Sequence, residues 1–236
     1  MNIEAHRITT NPAPLPQVDL YGTVHKGLRL ALCSLLTRMG STDFSEPRRA
    51  AVVLDDLEGV LYLCEHHIDH EEAHIHPAVD RKRPGFIAAL EAEHVDHAAA
   101  IRELRALAEA VVAAPAALSG PFGRALYLRF SSFVSENLAH MVEEETEVEA
   151  LLSRLFSTAE LTAIHDALIG SIGPDEMVAF LRVMVPASSP EGRFALLSGA
   201  KAAMPPAAFE VLLRSFRPSL EEADWRDLAS RFAVAA

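Results

Sequence analysis

EHHIDHEEAHIHP, residues 65–77, decides how this chain is read. Residues advance about 100° each around a helix, so Glu71 stands about 40° from His67 and His74 about 20° to the other side. All three share the face of Val60 and Leu63, and His70 flanks it. His66 falls at the boundary of that face, and His76 is expected on the far side, in solvent. The same four-residue offset recurs in LAHMVEEETEV, residues 138–148, where His140 precedes Glu144. Two more stretches each centre a histidine on an apolar stripe: His25 in YGTVHKGLRL (21–30), and His94, with His97 on the same broad face, in EAEHVDHAAA (91–100).

Four long amphipathic helices carry these groups. The first runs from Val18 to about Met39, with Tyr21, Leu28, Leu32 and Leu36 on the stripe around His25. GSTDFSEP turns the chain, with Ser45 as the expected cap and Pro47 tolerated in the first turn. The second helix runs to about Pro77 with Val53, Val60, Leu63 and Cys64 inward. After RKRPG, the third covers about Phe86 to Val112 on a stripe of Ile87, Leu90, His94, Ile101 and Leu104. APAALSGPFG reads as a break, and the fourth helix as about Phe122 to Phe156, facing Leu126, Phe133, His140, Glu144 and Leu151 inward.

The flanks differ in texture. Residues 1–17 hold Pro12, Pro14 and Pro16 and read as an arm. Residues 157–236 open on a capping box, Ser157 with Glu160, and continue as five shorter helices punctuated by proline. This stretch reads as an extension packed on residues 18–156 or as a subunit contact, such as a homodimer interface.

Composition agrees with an all-α protein: half the residues are apolar, and 33 acidic residues against 21 basic ones give a formal charge of −12. That balance argues against a nucleic-acid partner and offers no basic face to an anionic membrane. No apolar run reaches the length of a bilayer span and the N-terminus lacks a secretory pattern, so the cytoplasm is the default. Cys33 and Cys64 both fall in apolar helical stretches and read as buried thiols.

The inward carboxylates carry the chemistry. An ionised carboxylate on an apolar stripe loses its hydration at a cost of several kcal/mol, and two of them close together repel. No lysine or arginine stands at the centre of the stripes; Arg29, one turn from His25, comes nearest. A pair of cations removes the conflict, bridged by the carboxylates and capped by neutral imidazoles. Imidazole with carboxylate suits iron, manganese or zinc. Each ring would also donate its second N–H to an outer acceptor.

On His25 in VHKGLR, His67 and Glu71 in HHIDHEEAHIHP, His94 in EAEHVDH, and His140 with Glu144 in HMVEEE, the chain resembles the hemerythrin-like family, the HHE cation-binding domain, over roughly residues 18–156. The resemblance implies an up-down-up-down four-helix bundle around a non-haem di-iron centre. It makes Glu71 and Glu144 the bridging carboxylates and His25, His67, His94 and His140 the terminal ligands. Oxygen-carrying members place a second histidine four residues after the third-helix one; here that position is Ala98, and His97 and His74 are the candidates to replace it. The fourth-helix acid is Glu at four residues rather than Asp at five, as in sensor-type relatives.

The function this implies is a di-iron protein that binds or senses oxygen or nitric oxide, or stores iron. Two other readings are a di-iron peroxidase or oxidase, with Tyr21 and His70 as proton donors, and a helical interaction module whose metal site is structural.

Overall fold

The computed structural model describes Pro16 and residues 18–234, and its regular elements are helices, with no strand among the described residues. The arm expected over 1–17 therefore lies, Pro16 apart, outside the described residues. Four rods come first. The first is α1 (Gly22–Gly40). The second joins α2 (Pro47–His70), a π-helical turn (Glu71–Ile75) and α3 (His76–Lys82). The third is α4 (Ala88–Ala113), and the fourth joins α5 (Ala116–Glu143), a second π-helical turn (Glu144–Val148) and α6 (Glu149–Leu155). After them come α7 (Thr158–Ser171), α8 (Pro174–Ala187), α9 (Pro190–Ala203), α10 (Pro206–Ser215) and α11 (Glu222–Arg231).

Local chemistry sets these boundaries. Asp19 Oδ1 accepts the Gly22 N–H at 2.6 Å and starts α1. Pro47, Pro174, Pro190 and Pro206 open α2, α8, α9 and α10, where a missing N–H costs no intrahelical bond. Ser157 and Glu160 form the full capping box of α7. Ser45 does not cap α2: its hydroxyl donates to Asp43 instead, and Glu46 takes the cap position without a side-chain bond. The turn between α3 and α4 uses Gly85 at φ 78°, a left-handed conformation natural to glycine, and Asp80 accepts its N–H.

The break expected over APAALSGPFG does not occur. Helix α5 starts at Ala116 and runs through Pro121. A proline clashes with the Cβ of the residue before it in helical conformation, and here that residue is Gly120, which has none. Gly123, one turn on, faces Phe44, whose ring occupies the place where a Cβ would stand.

Apolar residues sort into three clusters. One gathers Leu28 and Leu32 of α1, Leu57 and Leu61 of α2, Ile101 and Leu104 of α4, and Phe130 and Phe133 of α5. A second, at the other end of the rods, joins Tyr21, Ile75, Val79, Ile87, Leu90, Val148 and Leu151. In the first three rods the histidine singled out in the sequence falls between the contributions to these two clusters, and in the fourth His140 stands next to Met141, the last contribution to the first cluster. The third cluster belongs to the chain after the rods and centres on Val185, Leu197, Leu213, Phe216 and Trp225. Phe180 of α8 joins the first cluster, so these helices are keyed into the rods. The approach is close: a Cβ on Gly27 of α1 would lie 3.0 Å from the Met184 backbone nitrogen of α8. Cys64 is buried as expected, but Cys33 is exposed.

Gly123→Ala should lower stability by about 1–3 kcal/mol, because the new methyl must displace Phe44 from its packed position. Urea unfolding followed by circular dichroism measures this, and an unchanged midpoint would contradict the close approach.

Candidate metal centre

Between the two apolar clusters of the rods lie six buried side chains. His25 and Glu144 are 0 % exposed, and Glu71 and His94 1 %. His67 and His140 complete the group. The possible ligand atoms of His25, His67, Glu71 and Glu144 all lie within 4.8 Å of one another, and so do those of Glu71, His94, His140 and Glu144. The two quartets share both carboxylates.

Each carboxylate divides its oxygens between the quartets. Glu71 Oε1 is 3.1 Å from His67 Nε2, while Oε2 is 3.5 Å from His94 Nε2. Glu144 Oε2 is 3.4 Å from His25 Nε2, while Oε1 is 3.3 Å from His140 Nε2. None of the four oxygens has a hydrogen-bond partner of acceptable geometry; the imidazoles lie beside them at ion-pair distance. Within each quartet the imidazoles point Nε2 at Nε2, at 3.0 Å for His25 and His67 and again for His94 and His140.

The opposite ring nitrogens are held from outside. His25 Nδ1 lies 2.9 Å from Glu145, which also takes a 2.6 Å ion pair from Arg29. His94 Nδ1 lies 3.2 Å from Glu72, and His140 Nδ1 2.7 Å from Glu93. An Nδ1–H donated to these carboxylates turns each Nε2 lone pair inward, the tautomer a cation requires. Glu72 and Glu145 each follow a shared carboxylate by one residue, so His-x-x-x-Glu-Glu is one device used twice. Glu72, Glu93 and Glu145 are not among the site residues expected from the sequence. The repeated Glu-Glu pair was the available signal.

Without a cation, protons hold this arrangement together. Burial works against charge on His25, but Glu144, Glu145 and Glu71 outweigh it and raise its pKa well above the ordinary value. His140 behaves alike: burial opposes its charge, yet Glu144 and Glu93 lift it to about 9. Their partners stay neutral. Burial and the nearby His25 hold His67 well below its usual range, and burial and His140 bring His94 down to about 3. Burial and Glu144 push Glu71 up to about 8. Burial alone would raise Glu144 too, but the imidazoles of His140 and His25 keep it well below the usual carboxylate range.

The remaining histidines divide. His97 is buried edge-on against His140, ring centroids 5.0 Å apart, but belongs to neither quartet. His74 turns outward, its Nε2 3.0 Å from the Ser171 hydroxyl of α7. His70 bonds Glu176 of α8 at 2.6 Å, and His66 bonds the Tyr62 carbonyl. His76 overturns the expectation of solvent exposure. It is 1 % exposed, its ring stacks on His94 at 5.0 Å, and neither nitrogen has a partner. The cause is the π-helical turn at Glu71–Ile75. An i→i+5 turn takes in an extra residue and sets back everything beyond it by up to one residue's rotation, about 100°.

The donor set fits divalent cations: anionic oxygens without partners, neutral imidazoles aimed inward and outer acceptors behind them. Titrating the metal-free protein with zinc at pH 7 should release about three protons per chain, as cations displace those held around His25, His140 and Glu71. Calorimetry in buffers of different ionisation enthalpy measures the release, and uptake without it would contradict this account.

No helix among the described residues is long and apolar enough to cross a membrane. The family model described as the hemerythrin HHE cation binding domain matches residues 18–152. No curated protein and no solved structure matches the chain. The match covers more than half the chain and includes all six residues of the two quartets, and the chain belongs to the hemerythrin HHE cation-binding domain family.

Proposed function

We propose that this protein holds a pair of metal ions, iron foremost, between its four rods, and binds or senses a small diatomic molecule there, oxygen or nitric oxide. One observation carries the reading: the four oxygens of Glu71 and Glu144, buried and without hydrogen-bond partners, each face a different imidazole. Leaving two such carboxylates bare in an apolar interior costs several kcal/mol apiece. A cation in each quartet offsets that cost.

In this reading Glu71 and Glu144, common to both quartets, would help hold both ions. His25 and His67 cap one, His94 and His140 the other, and His74 and His97 stay outside the set. The rods run up-down-up-down, and residues 157–236 form an extension that covers one side. A pair of iron ions so held would supply redox chemistry toward the small ligand. The chain's own residues do the rest. Glu145, Glu72 and Glu93 fix three rings through their Nδ1 atoms. Arg29 anchors Glu145. The buried Leu32, Leu63 and Phe133 keep bulk water from the centre.

Protein produced without added metal should carry about two metal ions per chain by elemental analysis. Glu71→Ala and His140→Ala should each lower that content sharply, and His66→Ala should not. Unchanged stoichiometry in Glu71→Ala would overturn the ligand assignment. Optical spectra of the iron-loaded protein before and after oxygen or nitric oxide test the diatomic ligand.

A further inference from the structure

A cavity of about 170 Å³ runs from the surface to the edge of the metal centre. His67 and Glu71 lie at its inner end. Its walls are mostly apolar: Val24 from α1, Leu168, Ile169 and Ile172 from α7 and its end, and Met177 and Met184 from α8. All but Val24 of these six wall residues lie beyond residue 152, where the family match ends. Polar ties fix the wall to the second rod. His70 is bound to Glu176, and His74 meets Ser171. The His70 ring also lies against Phe180, centroids 6.5 Å apart.

We propose that this cavity binds a neutral organic molecule about the size of one aromatic ring, carrying a single hydroxyl, and presents that polar end to the His67–Glu71 edge of the metal centre. The inference rests on the metal reading above and adds an organic ligand to it. Size sets the first limit: an apolar cavity of about 150 Å³ is enough to take up benzene. Charge sets the second. The mostly apolar walls cannot replace the hydration of an organic ion, which favours a neutral ligand. Polarity sets the third. Apolar walls leave any hydrogen-bonding group unpaired except at the ends, which confines the ligand's polar atom to one extremity.

Phenol is the probe, added to zinc-loaded full-length protein carrying isotope-labelled methionine methyl groups. The Met177 and Met184 signals should shift saturably, while those of Met39, Met141 and Met204 hold still. Ile172→Trp narrows the cavity from a position that belongs to neither quartet. It should weaken phenol about tenfold at unchanged zinc content. Absence of saturable shifts at Met177 and Met184, equal shifts at these two and at Met39, Met141 and Met204, or equal phenol affinity in Ile172→Trp would overturn the cavity as a binding site. Zinc content on the same samples separates the two readings: zinc held without phenol binding overturns this inference alone, whereas failure to hold zinc overturns the metal reading on which it rests.

Discussion

Two carboxylates side by side in a dry interior set the terms for the rest of this molecule. Glu71 and Glu144 come from different rods, yet their oxygens meet the same four imidazoles. Neither could stay ionised there alone, because burial and mutual repulsion both favour the neutral acid. The fold answers at three distances. Nearest, imidazoles face the oxygens. Behind them, Glu72, Glu93 and Glu145 hold three of those rings in orientation, with Arg29 behind Glu145. Above and below, tight apolar clusters keep the level of the site fixed along every rod. Protons and cations compete for the same inward-facing nitrogens, so the centre has a defined state whether loaded or not.

The helices after the rods are part of this arrangement. Glycine at position 27 lets α8 reach the backbone of α1, and Phe180 enters the rods' own apolar cluster. The His70–Glu176 pair then ties α8 one residue away from a shared carboxylate. A segment outside the family match thereby shapes the approach to the site that the family match contains.

Much of this was legible in the sequence. The spacing of His67 with Glu71 and of His140 with Glu144, together with the stripes around His25 and His94, located all six quartet residues. Periodicity shows such groups well because one helical face must point one way over many turns. It failed where the helix stops being uniform: His76 was assigned to solvent because a constant advance per residue was assumed across a π-helical turn. It fails again at Pro121, which α5 carries inside its length, where Gly120 spares the proline one clash, that with a preceding Cβ. The outer acids were missed for another reason. Glu72 and Glu93 are half-exposed, like ordinary surface carboxylates, and only the fold reveals which ring each one reaches.

The two π-helical turns have a consequence for how the rods are threaded. Each begins on a shared carboxylate and is followed by one short stretch of α-helix. The turn acts as a phase shifter. It decouples the register of the ligands from that of Val79, Leu151 and Leu152, so the far ends of these rods can be optimised for packing without swinging a ligand off its mark. Shortening either turn to an ordinary α-helical one would restore a single phase along the rod and force the centre and the far cluster to contend for it.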